Sequence, residues 1–115
     1  MTATATIYHN PRCNTSRTAL KAIEEAGITP RVIRYLESPP TEDELRTLLA
    51  DAGLEPHQAV RTRESIYKEL DLVSADADTL IAAMIEHPIL IERPIVVTEK
   101  GTVLARPADR VHTVL

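Results

Sequence analysis

The chain changes from strand to helix across its single cysteine. Thr4 to Tyr8 is short, β-branched and apolar, Asn10-Pro11 breaks it, and Asn14-Thr15-Ser16 supplies helix-capping side chains, so a helix is expected to start within a residue or two of Cys13. A sulfur placed there faces unpaired backbone N–H groups and the positive end of the helix dipole. Arg12, Arg17 and His9 lie nearby in sequence, and all of these favour thiolate over thiol. A free cysteine of pKa about 8.5 is only a few per cent ionised at pH 7, so a setting that lowers the value makes a nucleophile. The same N–H groups would hold an oxyanion beside the sulfur. The bland alternative is that a lone cysteine is a small buried hydrophobe. Its flanks argue otherwise, because Asn-Pro-Arg before it and Asn-Thr-Ser-Arg after it are polar and basic.

From Ser16 to Ala26 the apolar residues Ala19, Leu20, Ala22, Ile23 and Ala26 recur at helical spacing, and Gly27 stands where a helix C-cap belongs. Arg31 to Leu36 mixes Val32, Ile33, Tyr35 and Leu36 with arginines between Pro30 and Pro39-Pro40, which predicts a second strand. Strand, helix, strand within about 35 residues implies a parallel pair with a crossover. Thr41-Glu42-Asp43-Glu44 is a capping box opening a helix whose buried face is Leu45, Leu48, Leu49 and Ala52, ended by Gly53. Pro56 to Leu72 reads as short helical turns with Val60, Ile66, Leu70 and Leu72 inward. Asp76 to Glu86 is a helix with Leu80, Ile81, Met84 and Ile85 on its core side, stopped by His87-Pro88. The last third changes period. Ile95-Val96-Val97, the turn Glu99-Lys100-Gly101 and Val103-Leu104 predict a β-hairpin, and Pro107 to Leu115 a final short helix. The order is β-α-β, then helices, then β-β-α, without internal repeats.

Composition removes several function classes. At 115 residues the chain reads as one domain. A formal charge of -4, scattered basic residues and 3% aromatics argue against nucleic-acid binding by phosphate neutralisation. No apolar run is long enough for a membrane span, and the N-terminus lacks the basic and apolar blocks of a signal peptide. One cysteine forms no internal disulfide, which points to a reducing cytoplasm. His9, His57, His87 and His112 show no paired ligand spacing, so no metal site is expected.

A β-α-β unit and a β-β-α unit with a cysteine at the start of the first helix is the plan of thioredoxin-like proteins. Tyr8-His9-Asn10-Pro11-Arg12-Cys13-Asn14-Thr15-Ser16-Arg17 resembles the active-site loop of the glutaredoxin-dependent arsenate reductases. Tyr35-Leu36-Glu37-Ser38-Pro39-Pro40, the segment from His87 to Val97, and Ala105-Arg106-Pro107 look like three further signatures of that family, in order and at suitable spacing. The resemblance implies a thioredoxin-like α/β core with a helical insertion between its halves, at about residues 41–86, and a cis peptide at Arg93-Pro94. It places the nucleophile on Cys13 and the three anion-binding arginines on Arg61, Arg93 and Arg106. His9 matches the histidine implicated in keeping the thiol ionised, and Ser16 and Arg17 match the rest of the loop. By default each arginine is a solvated or ion-paired surface side chain. Arg93 and Arg106 depart from that default best, since both precede prolines beside predicted strands, where thioredoxin-like proteins place the loop facing the cysteine.

Arsenate is a tetrahedral anion, so its reduction needs multi-donor cations and a soft nucleophile. Guanidinium groups bind oxyanions bidentately and stay charged, and a thiolate attacks arsenic. The second thiol must come from outside, because this chain has no second cysteine. The resemblance implies glutathione as co-substrate, with no bound cofactor, and glutaredoxin as the partner that resolves the mixed disulfide. Phosphatase-like arsenate reductases are excluded on spacing, since the position six after the cysteine is Ala19. Dithiol oxidoreductases are excluded because the position three after it is Ser16. Two alternatives stay open: a monothiol glutathione-dependent reductase of another substrate, and a redox-sensing module that contacts RNA polymerase. The lone cysteine disfavours the second, because such sensors carry a Cys-x-x-Cys pair.

Overall fold

Alternation in Ala5-Thr6-Ile7-Tyr8-His9 decides which face of the first strand is covered. β1 (Ala5–His9) buries Ala5, Ile7 and His9 and half-covers Thr6 and Tyr8, the two-residue period of a strand. The computed structural model describes residues 4–115. In it β1 is central to a four-stranded sheet ordered β2-β1-β3-β4. It runs parallel to β2 (Arg31–Arg34) and antiparallel to β3 (Ile95–Thr98), which forms a hairpin with β4 (Gly101–Leu104). Ile7 is in register with Val32 on one side and Val96 on the other.

The chain divides into two compact units, one running to Ser38 and resuming at Arg93–Leu115, the other Pro39–Glu92. In the first unit, α1 (Asn14–Glu25) lays Ala19 and Ile23 against Ile7, Val96, Ala105 and Val111, all fully buried. Burying an aliphatic side chain such as Ile7 or Ile23 contributes about 1.5–3 kcal/mol, so this cluster holds the strand-to-helix junction in place. α1 begins at Asn14, directly after Cys13, within the span that the capping residues predict. Cys13 itself takes the extended N-cap conformation (φ -94, ψ 121), and its carbonyl accepts the Arg17 N–H at 3.0 Å. At the other end Gly27 adopts φ 81, and the Ile28 N–H returns to the Ile23 carbonyl. β2 stops at Arg34, short of the expected Leu36, because the Arg34 carbonyl accepts the N–H groups of both Glu37 and Ser38 and turns the chain. Tyr35 is thereby buried and Leu36 left exposed. The last element is a 3-10 helix, Ala108–Thr113, whose Val111 joins the core. Arg93-Pro94 is cis, and so is Arg106-Pro107.

In the second unit, Thr41 Oγ1 accepts the Glu44 N–H while Glu44 Oε1 accepts the Thr41 N–H. This is the capping box that opens α2 (Glu42–Asp51). α3 (Pro56–Ala59), α4 (Ser65–Glu69) and a 3-10 turn at Leu72–Ser74 follow, then α5 (Ala77–Glu86), capped by Asp76. Leu45, Leu49, Leu72, Leu80, Ile81, Met84 and Leu90 are buried. Leu70, expected inward, is 44% exposed. α4 ends there, Asp71 turns through a left-handed conformation (φ 52), and Leu72 takes the inward place. Among the described residues no helix is long and apolar enough to cross a membrane.

Candidate active site

Asn10 organises the loop that carries the cysteine. Its carbonyl accepts the Cys13 N–H at 3.0 Å, its Oδ1 accepts the Arg12 N–H at 2.9 Å, and its own N–H donates to Ser16 Oγ at 3.1 Å. Ser16 Oγ also lies 2.6 Å from His9 Nδ1. Asn10, Ser16 and His9 are all buried, so these hydrogen bonds, shielded from water, brace the loop that carries the cysteine. The sequence presented Asn10 only as a strand breaker. The legible signal was an asparagine two residues before a backbone N–H in a proline-containing turn, which is Asx-turn chemistry.

Cys13 is half-buried at the N-terminus of α1. Burial pushes its thiol up, but the backbone N–H of Ser16 and the guanidinium groups of Arg93 and Arg106 outweigh burial, and the pKa falls below the ordinary thiol value. Arg106 Nη1 sits 3.8 Å from Sγ and also donates to the Arg93 carbonyl at 3.0 Å, which fixes the fork beside the sulfur. Arg93 is different in kind. Its Nε and Nη1 are buried with no hydrogen-bond partner among the described residues. Such donors are costly to bury unpaired and are what a tetrahedral oxyanion satisfies.

His9 is held below its ordinary pKa by burial and then by the positive charges of Arg34 and Arg17, so it is a neutral imidazole at neutral pH rather than a cation beside the thiol. Arg17 donates to the Pro11 carbonyl at 2.9 Å and braces the loop from outside. The groups that lower the thiol pKa are led by the Ser16 backbone N–H, followed by Arg93 and Arg106. Arg61 belongs to the second unit, where Nη1 pairs with Glu92 at 2.7 Å and Nε with Glu64 at 3.2 Å. Among the described residues no group of three His, Cys, Asp or Glu side chains is placed to hold a metal ion.

Chemically the arrangement offers one activated sulfur, backbone N–H groups at a helix start, and two guanidinium groups beside them. It can form a covalent bond to an electrophilic centre of an oxyanion, and with one cysteine in the sequence it needs an outside thiol to be released.

The chain is similar to known arsenate reductases in sequence and in fold. An arsenate reductase of Escherichia coli is 50% identical over 112 residues, spanning 96% of this chain and 79% of that protein. One from Rhizobium meliloti (strain 1021) is 48% identical over 114 residues, spanning 97% and 81%. The solved structure of an arsenate reductase from Vibrio cholerae superposes with a TM-score of 0.95 at 44% identity and covers the whole of both chains. The model of the ArsC family matches residues 8–114, a span that takes in the cysteine loop, both arginine–proline pairs and the helices between them, and the chain belongs to that family.

Proposed function

We propose that this protein reduces arsenate to arsenite through a covalent bond between Cys13 and arsenic. The observation that carries the reading is the pairing of a thiol of lowered pKa with Arg93 Nε and Nη1, buried donors without a protein acceptor. Arg93 and Arg106 hold the arsenate oxygens, and the backbone N–H groups at the start of α1 add to that field. The Cys13 thiolate attacks As(V), an As–S bond forms, and an arsenic-bound oxygen leaves as water after protonation. Glutathione displaces a second oxygen as water and becomes bonded to arsenic through its own sulfur. A glutaredoxin thiolate then attacks that glutathione sulfur. The pair of electrons from the As–S bond stays on arsenic, which becomes As(III), and the two thiols leave as a mixed disulfide. Hydrolysis of the Cys13–arsenic bond releases arsenite and returns the thiolate. The cycle needs Cys13 kept reduced, which fits a reducing cytoplasm.

Ser16 and His9 act on the loop: Ser16 supplies a backbone N–H to the sulfur and a hydroxyl to His9, and this keeps the nucleophile at one position. The test is NADPH consumption with arsenate, glutathione, glutaredoxin and glutathione reductase, beside Cys13→Ser and an assay without glutaredoxin. Turnover that needs arsenate, Cys13 and glutaredoxin is the expected result. No arsenate-dependent turnover from protein whose Cys13 is intact and alkylatable would overturn the reading.

A further inference from the structure

A groove of about 270 Å³ opens beside the active-site loop, walled on one side by residues 9–12 and on the other by Arg34, Leu36 and Glu37 at the end of β2. It is close to the lower bound of small-molecule pockets, about 300 Å³. Arg12 precedes Cys13 directly, a step of about 3.8 Å between Cα atoms, so the groove ends one residue short of the nucleophile, and Cys13 itself is not part of its lining. The groove holds two guanidinium groups and one carboxylate. None of the three side chains is engaged in an ion pair or side-chain hydrogen bond among the described residues. Arg93 and Arg106 line no part of it.

Arginines on an edge strand can serve only to discourage strand pairing, and Arg31 of β2 lies outside the groove. Arg34 differs because it shares a concave site with Arg12, with a carboxylate and with the half-exposed side chain of Leu36. The Arg34 charge is also felt across the groove at His9, where it helps to keep the imidazole neutral. The pattern of two cations and one anion beside an apolar side chain is the inverse of a molecule with two carboxylates, one ammonium and a short methylene stretch.

We propose that this groove seats the external thiol as a small peptide of that charge pattern, which is the pattern of glutathione, with its carboxylates on Arg12 and Arg34 and its ammonium on Glu37. The inference rests on the reading of the chain as a reductase served by an outside thiol. It gives the two substrates separate cation sets: Arg93 and Arg106 for the oxyanion, Arg12 and Arg34 for the thiol.

The test uses S-methylglutathione, which has the charges but no free thiol, titrated into isotope-labelled Cys13→Ser protein while backbone amide shifts are followed. Shifts centred on Arg12, Arg34 and Glu37 are expected, with half-saturation about tenfold higher in Arg34→Glu and also higher in Glu37→Lys, the loss of one charge-assisted contact each. The amide spectrum of each variant shows directly that it is folded. Shifts centred on Arg93 and Arg106, a titration unchanged in both variants, or no binding at all would overturn the proposal. Because this readout involves no arsenate, groove binding without arsenate turnover would leave the site standing and sink the reaction; glutathione-supported turnover with shifts elsewhere would do the reverse.

Discussion

His9 Nδ1 and Ser16 Oγ lie 2.6 Å apart, seven residues distant in sequence, in a pocket of the fold that covers both side chains. Ser16 Oγ already accepts the Asn10 N–H, so its hydroxyl proton is available to His9, which suits an imidazole whose Nδ1 is an acceptor. Burial and the neighbouring charges of Arg34 and Arg17 keep that imidazole neutral. The unfolded chain takes up a proton on His9 near pH 6.5, and the folded protein resists it to lower pH. The stability contributed is therefore complete above about pH 6.5 and is lost as pH falls toward the folded-state value, with a slope of at most about 1.4 kcal/mol per pH unit. Urea midpoints between about pH 7.5 and 5.5 are expected to fall more steeply for the wild type than for His9→Gln. Parallel profiles would show that His9 is not the titrating group.

Titration of Cys13 should separate the local helix from the distant arginines. The thiolate absorbance of the wild type is expected to have its midpoint below the ordinary thiol range, and Cys13→Ser to lack the step. Arg106→Ala removes the fork 3.8 Å from the sulfur, so the midpoint should rise toward the ordinary value. Arsenate turnover in that variant should drop about 10²-fold or more, as for loss of one donor to a reacting oxyanion. A midpoint that does not move would assign the lowering to the Ser16 N–H and Arg93.

Arg93 leads to an unusual stability prediction. Two buried donors without a protein partner destabilise the free protein, so Arg93→Met should leave its melting temperature unchanged or raise it. An anion that satisfies them stabilises by mass action. Arsenate at about 100 times its dissociation constant should raise the wild-type melting temperature by roughly 10 °C, corresponding to about 2.7 kcal/mol. Arg93→Met should show almost none of that rise. Scanning calorimetry with and without arsenate checks both halves, and an equal rise in the variant would remove Arg93 from the anion site.

What was legible in the sequence depended on how local the signal was. The capping box at Thr41 and Glu44, the stripe of Ala19 and Ile23, and the hairpin around Gly101 are written within a few residues and were all readable. Leu70 was misread because α4 has five residues, too few for a helical period to say which side faces in, and because the turn at Asp71 decides it instead. Among the site residues only Cys13 announces its chemistry locally. Nothing near Arg106 in sequence says that it meets a sulfur 93 residues away, nor anything near Arg93 that it carries unpaired buried donors. These two arginines came through the resemblance of whole segments. The partners of Arg61, Glu64 and Glu92, were not foreseen at all, since one of them is 31 residues distant.

Arg61 is the arginine whose role the family resemblance and the local geometry pull in different directions. Its side chain is 15% exposed, and its guanidinium is shared between Glu92 at 2.7 Å and Glu64 at 3.2 Å. Each of these carboxylates is itself part-buried, so truncation would leave two like charges without their common partner. Arg61→Met should therefore destabilise the fold by about 1–3 kcal/mol, whereas Arg93→Met should not. Replacing Glu64 and Glu92 by glutamine in the same variant should restore part of the loss, because the repulsion between the two carboxylates that Arg61 bridges is then gone. The arsenate KM is the second readout. If Arg61 also binds the oxyanion, KM stays raised in the restored triple variant. If KM returns with stability, the ion pairs are all that Arg61 supplies.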